Sequence, residues 1–135
     1  ALDEVGGDKD KAREVLKQYS AAQAEKKADR EVTAGVVTSY VHSSGTTGVL
    51  LELACETDFV AKTEEFKALA HDIAMHICAM SPTSINNEDG LGEETALLHQ
   101  SFVKDPEFTV EQKLQAAIQK FGENTKISKF VRYSI

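Results

Sequence analysis

Few side chains in this sequence have the types and spacing that covalent or metal chemistry requires. His71 and His76 share a helix-like segment with Asp72, but histidines five positions apart are splayed by about 140° around a helix, whereas a zinc pair is usually spaced by four. Cys55 lies near a helix start, where a thiolate is favoured, yet the spacing fixes no base beside it. Residues 44–48 lack the Lys-Ser/Thr pair of a phosphate-binding loop. We therefore expect a buried, unreactive Cys55 and no catalytic residue, metal ligand or cofactor-binding residue.

The hexapeptide Cys-Glu-Thr-Asp-Phe-Val at residues 55–60 offers protein recognition instead. It lies between an apolar run at 49–54 and a segment from Phe66 in which apolar residues recur with a helical period. Phe59 at this junction has two readings that spacing leaves equally open. The ring either folds back into the core or projects as an anchor, since aromatic residues are frequent hot spots in protein interfaces.

A β-hairpin is predicted to carry this junction. Residues 36–42 are β-branched and aromatic, residues 43–48 are turn formers and residues 49–55 are apolar almost throughout. This pattern is typical of two antiparallel strands joined by a loop longer than two residues. The apolar second run indicates a central strand, or a strand that is covered on both faces.

Helices are predicted to cover the hairpin. Thr63 can cap a helix whose single apolar stripe starts at Phe66 and which ends before Pro82. A capping box of Thr109 with Gln112 predicts a later helix, and a glycine is placed to close it.

The remaining segments complete the expected fold. Residues 83–100 are expected to be irregular or weakly helical, the extended segment 102–106 to stop at its proline, and residues 127–135 to form a strand. The predicted fold class is therefore α+β: a small three-stranded antiparallel sheet, formed by two strands, helices and then a third strand, with the helices on one face.

The N-terminal part is expected to be distinct from this sheet. Residues 1–5 have the pattern of the last turn of a helix stopped by two glycines, and residues 8–20 have the spacing of a further helix. Two short helices bury little surface alone. We therefore predict that residues 1–20 are the end of a small helical module, residues 21–34 a charged, partly helical linker and residues 35–135 the core.

Composition excludes several classes of protein. The 135 residues carry a net charge of −7, which disfavours nucleic-acid binding through clustered Lys and Arg. No apolar run approaches the ~20 residues that span a bilayer, and no signal-peptide pattern opens the chain, so we expect a soluble protein with no membrane partner. Two cysteines are too few for a disulfide scaffold, which favours a reducing compartment.

Residues 48–62, centred on Thr57-Asp58-Phe59-Val60, and residues 65–77 resemble the signature of translation elongation factor Ts. Three other regions support the resemblance. Residues 7–30 resemble the end of that family's ubiquitin-associated-like helical module and its linker, residues 98–105 resemble its Leu-Leu-x-Gln-x-Phe-x-Lys-Asp segment, and Gly122-Glu123-Asn124 with residues 129–133 resembles the end of its core.

This resemblance implies a guanine-nucleotide exchange factor, not an enzyme, that binds elongation factor Tu in its GDP form during protein biosynthesis. In the family an Asp-Phe pair enters the GTPase domain beside the Mg²⁺ and phosphate site. The resemblance thus assigns partner binding to Asp58 and Phe59, with Thr57 and Val60 as contacts or supports of the turn. In a different reading Asp58 caps the next helix and only aims Phe59.

Several properties stay open at this point. The alternative function is a protein-binding or ribosome-associated module of the same fold that exchanges no nucleotide. The family implies a location in the bacterial cytoplasm or, alternatively, in an organelle matrix. Residues 82–98 leave no room for the second sheet or the helical insertion of longer members, so a homodimer is one way to complete the partner-binding surface. The sequence assigns no role to His42, His71 or His76.

Overall fold

A three-stranded antiparallel sheet forms one layer of the protein. The computed structural model describes residues 8–85 and 95–135, with side chains from residue 11 onward in the first range. The strands are β1 (Ala34–Val41), β2 (Thr47–Cys55) and β5 (Thr125–Ser134), in the order β1-β2-β5. The predicted α+β class and the central position of the second strand are confirmed.

The hairpin of β1 and β2 has the predicted long loop. The strands pair from Ala34 opposite Cys55 to Val41 opposite Gly48, and residues 42–46 connect them. Within the loop the Gly45 backbone N–H donates to the His42 carbonyl at 2.8 Å. Gly45 has φ +74°, a conformation that side chains with a Cβ disfavour.

Two helices cover one face of the sheet. Helix α3 (Glu64–Met80) and helix α4 (Val110–Phe121) contribute apolar stripes to a core shared with the inner face of β2. The buried side chains of this core include Val49, Leu51, Leu53, Phe66, Ile73, Ile77, Val110, Leu114 and Ile118. The α3 stripe is continuous because its apolar residues recur at helical spacing.

The predicted helix ends are confirmed. The Thr63 hydroxyl accepts a hydrogen bond from the Phe66 N–H at 3.2 Å at the start of α3. Thr109 and Gln112 form the reciprocal capping box of α4, and α4 closes at Gly122 with φ +72°. These signals are local to the chain, and so the sequence alone could reveal them.

A second, two-stranded sheet corrects one prediction. Its strands are β3 (Ser101–Phe102) and β4 (Asp105–Thr109), so the extended segment does not stop at Pro106 but continues through it. Each strand of a two-stranded sheet has one edge without a partner strand. Proline can occupy such an edge because its missing N–H donor is not needed there.

The segment before β3 is irregular where it is described, as predicted. Leu97–His99 form a short 3₁₀ helix, and Ser84 pairs with Ala96 in an isolated bridge. Residues 86–94, part of the same prediction, lie outside the described residues. So do residues 1–7, with the predicted helix end at residues 1–5.

Helix α1 (Asp8–Lys27) precedes the sheet and contacts the α4 side of the core. The Ser20 hydroxyl donates to Gln119, and the Lys17 ammonium lies 4.6 Å from the centre of the Phe108 ring. The division into a module, a linker and a core stays a prediction. Among the helices that the structure describes, none has the length and apolar character to cross a bilayer.

Candidate functional site

The segment after β2 folds into a single helical turn, α2 (Asp58–Ala61). Thr57 precedes it in extended geometry, and its hydroxyl accepts a hydrogen bond from the Val60 N–H at 3.4 Å. Thr57 is therefore the N-cap and Asp58 the first helical residue. The reading in which Asp58 caps this helix is wrong, because Thr57 occupies the capping position.

The turn separates its residues into an outer and an inner pair. Phe59 is 83% exposed and Asp58 is also exposed, whereas Val60 and Ala61 are 5% and 3% exposed and belong to the core. Of the two readings for Phe59, the structure supports the projecting ring. Val60 supports the turn from inside, and its predicted share in partner binding stays a prediction.

Backbone and side-chain hydrogen bonds fix α2 at both ends. The Ala61 N–H donates to the Thr57 carbonyl at 3.2 Å and the Thr63 N–H donates to the Val60 carbonyl at 3.0 Å. The Thr63 hydroxyl donates to the same Val60 carbonyl at 2.8 Å. Because Thr63 also caps α3, the exposed turn is joined directly to a helix of 17 residues whose apolar stripe belongs to the core.

Sequence reasoning missed the residues that hold the turn from the other side. The Glu123 carboxylate accepts hydrogen bonds from the Thr57 N–H at 3.0 Å and the Thr57 hydroxyl at 2.6 Å. The Glu56 carboxylate accepts one from the Asn124 N–H. In the sequence, Glu123 and Asn124 are notable only because residues 122–124 resemble a segment near the end of the core described above. A polar pair directly after a helix-closing glycine is a weak signal for such contacts.

Asn124 also connects this site to the chain that follows α1. Its side chain is 2% exposed, and the amide Nδ2 donates to the carbonyls of Arg30 at 2.8 Å and Ala28 at 3.4 Å. The Arg30 guanidinium lies 3.6 Å from the Glu56 carboxylate. Residues 28–30 therefore lie against the two segments that carry the turn.

Cys55 is a structural residue, as predicted. Its side chain is fully buried, and the thiol donates to the Thr57 carbonyl at 3.3 Å. Burial raises the pKa of the Cys55 thiol, and the negative charges of Glu123 and Asp58 raise it further. The reactive thiolate is thus disfavoured.

His76 is buried within a polar contact of the core. Its Nδ1 accepts a hydrogen bond from the Val103 N–H at 3.1 Å, so the neutral ring carries its proton on Nε2, which lies 3.0 Å from Gln100 Oε1. The ring stacks on Phe102 with centres 5.7 Å apart. Burial lowers the pKa of His76, partly offset by Gln100.

The other two histidines that the sequence left without a role lie at the surface. His71 packs edge-on against the Tyr40 ring, with centres 5.7 Å apart. His42 accepts a hydrogen bond from the Ser44 N–H at 3.1 Å in the hairpin loop. Within residues 8–85 and 95–135, no three His, Cys, Asp or Glu side chains cluster in a way that could hold a metal ion.

Comparison with known proteins identifies close relatives. The family model described as Elongation factor TS matches residues 8–90. Elongation factor Ts of Carboxydothermus hydrogenoformans is 41% identical over 171 residues, covering the whole chain and 79% of the relative. The same-named protein of Rubrobacter xylanophilus is 40% identical, with 100% of the chain and 88% of the relative covered. Both alignments exceed the 135 residues of this chain, so the relatives contain residues without a counterpart here.

The His76 contact predicts a loss of stability in acid. The unfolded chain protonates His76 near its ordinary pKa of about 6.5, whereas the folded chain resists protonation because His76 is buried. The contribution of neutral His76 to the free energy of unfolding is therefore fully present above that pH. It decreases as the pH falls towards the pKa of His76 in the folded chain, by up to about 1.4 kcal/mol per pH unit. Urea unfolding at pH 7.5 to 5 measures this decrease.

The variant His76→Gln removes the titrating ring and should flatten this part of the pH profile. The matched variant His99→Gln changes an exposed histidine and should keep the profile of the parent. Equal slopes for the parent and His76→Gln would contradict the assignment.

Proposed function

This chain belongs to the elongation factor Ts family, and from that premise we propose that it is a guanine-nucleotide exchange factor acting on elongation factor Tu. It binds the GDP form of that GTPase and promotes release of GDP during translation elongation. It acts by binding a protein rather than by covalent catalysis. Since its named relatives are bacterial proteins, the proposed location is the bacterial cytoplasm.

The observation that supports this proposal is the 83% exposure of Phe59 on a turn whose next two residues, Val60 and Ala61, are buried. Moving a phenylalanine ring from water into an apolar pocket of a partner contributes roughly 1.5–3 kcal/mol. Each ~1.4 kcal/mol changes an equilibrium tenfold. The turn is already hydrogen-bonded, so little of this energy is lost in ordering it.

In the proposed mechanism, the Phe59 ring enters the GTPase domain beside the Mg²⁺ and phosphate site. The ring keeps apart the elements that hold Mg²⁺ and the β-phosphate. The exposed carboxylate of Asp58 adds negative charge beside the diphosphate, which disfavours bound GDP by Coulomb repulsion. Thr57 and Val60 support these two side chains: Thr57 caps the turn that carries them, and Val60 anchors that turn in the core.

Thermodynamic linkage explains how the factor leaves elongation factor Tu after exchange. If the factor weakens GDP binding, GDP weakens binding of the factor by the same ratio. Incoming nucleotide therefore displaces the factor after exchange. The factor needs no covalent step, which agrees with a site made of a ring, a carboxylate and backbone hydrogen bonds.

Removal of the Phe59 ring should slow nucleotide release. With Phe59→Ala, we expect release of fluorescent GDP from elongation factor Tu to be about tenfold slower or more at equal factor concentration, because the binding energy of the ring is lost. Stopped-flow fluorescence measures the rate. The fold should persist, because an exposed side chain contributes little to it.

Met80→Ala is the matched control. Met80 is another exposed apolar residue, 46% accessible, at the opposite end of α3 from the turn, and its loss should leave the rate unchanged. If Phe59→Ala releases GDP as fast as the parent, the mechanism is wrong. If the parent itself does not accelerate release, the chain is a binding module without exchange activity.

The open face of the sheet supports a second proposal, a homodimer. Val37, Leu50 and Val131 are 69%, 53% and 59% exposed on the face opposite the helices, and Leu50 lies opposite Val131 in the β2–β5 register. Contiguous exposed apolar surface often marks an interface. We propose that a second copy of the chain covers this face, in place of the second sheet that longer family members carry.

Sedimentation should then show a dimer at high micromolar concentration. Val131→Glu should shift it to monomer, because a dry sheet interface would bury the new carboxylate without a partner. Val103→Glu, the same change at an exposed valine outside the sheet, should remain dimeric. A parent that is monomeric at this concentration and fully active in exchange would exclude the homodimer.

A further inference from the structure

We propose that Glu123 is a positioning residue that holds the Thr57 cap and thereby sets the direction of Phe59. Glu123 does not belong to the turn and lies 66 positions later in the chain than Thr57. Its effect on nucleotide release rests on the proposed function, whereas its effect on the turn does not.

The geometry of the contact is specific. Each Glu123 carboxylate oxygen accepts one hydrogen bond from Thr57. Oε1 accepts from the backbone N–H at 3.0 Å, and Oε2 accepts from the hydroxyl at 2.6 Å. Hydrogen bonds to an ionised carboxylate are shorter and stronger than bonds between neutral groups. Glu123 is half-buried and Thr57 exposed, so the contact stands at the surface, where water would otherwise compete for the same donors.

The hydroxyl of Thr57 explains why this contact matters for α2. A hydroxyl has one hydrogen to donate and two lone pairs that accept. Because the hydrogen points to Glu123, a lone pair is free to accept from the Val60 N–H at the helix start. Glu123 thus orients the hydroxyl for capping. A helix of four residues has little stability of its own, so its cap has a large share in fixing it.

The fold brings Glu123 to this place by two steps. Gly122 closes α4 with φ +72°, which turns the chain, and β5 then pairs with β2 so that Thr125 lies opposite Cys55. Residues 56–57, which follow Cys55, and residues 123–124, which precede Thr125, then lie side by side. The Glu123 carboxylate accepts a hydrogen bond from the Thr57 N–H, and the Glu56 carboxylate accepts one from the Asn124 N–H. This reciprocal pair joins the two segments side by side.

Hydrogen exchange measured by NMR tests the local part of the proposal without any partner. In Glu123→Ala the amide hydrogens of Thr57 and Val60 should exchange about tenfold faster, as expected for loss of a charge-assisted bond. Glu123→Gln keeps one acceptor oxygen and should restore part of the protection. Glu31→Ala removes an exposed carboxylate and should change neither amide.

Nucleotide release tests the functional part. Glu123→Ala should slow GDP release from elongation factor Tu about tenfold, and Glu123→Gln should slow it less. If Glu123 acts through Phe59, the double variant with Phe59→Ala should be no slower than Phe59→Ala alone, because the two changes remove one interaction.

Each outcome decides one point. Unchanged exchange of the Thr57 and Val60 amides in Glu123→Ala would overturn the positioning role. Faster amide exchange with unchanged GDP release, in a parent whose release depends on Phe59, would overturn the link to function. A parent that does not promote release would refute the proposed function, and the amide measurement would still decide the positioning role.

Discussion

A helix of one turn cannot bury all of its side chains, and this constraint determines where Phe59 lies. Val60 and Ala61 are committed to the core, so the other two residues of α2 must face outward. The Thr57 cap before the turn and the Thr63 contact after it hydrogen-bond the backbone at both ends of α2. The exposed aromatic ring therefore follows from burial of Val60 and Ala61, and the proposed insertion into a partner would cost little entropy because the turn is already ordered.

The long-range pairing of β2 with β5 turns this local constraint into a fixed position. It brings residues 123–124 beside residues 56–57, where the carboxylates of Glu123 and Glu56 accept donors from the opposite segment. Asn124 extends the same network to residues 28–30. The core beneath the turn makes it rigid and the carboxylate contacts fix its orientation, which are the two properties that the proposed insertion of Phe59 requires.

Local signals predicted much of this structure, and long-range contacts explain what they missed. The caps at Thr63 and Thr109 and the stripe of α3 depend on residues three or four apart, so they are visible in the sequence. The orientation of Phe59 is not visible in the sequence, because the spacing fits a buried ring and a projecting ring equally well. Only the burial of Val60 in the structure decides between them. Glu123 was missed because its contact joins distant segments. The sequence predicts a stop at Pro106 because an edge strand, which tolerates proline, cannot be recognised before its partner strand is placed.

The most direct test is to observe the Phe59 ring in the complex. The protein is labelled with 4-fluorophenylalanine at position 59 and studied by fluorine NMR. In the free protein, a soluble paramagnetic reagent should broaden the resonance of this label. A label at Phe66, which is fully buried, provides the protected reference. On addition of nucleotide-free elongation factor Tu, the account predicts a shifted Phe59 resonance that the reagent no longer reaches. A resonance that stays accessible in a fully formed complex would contradict insertion of the ring.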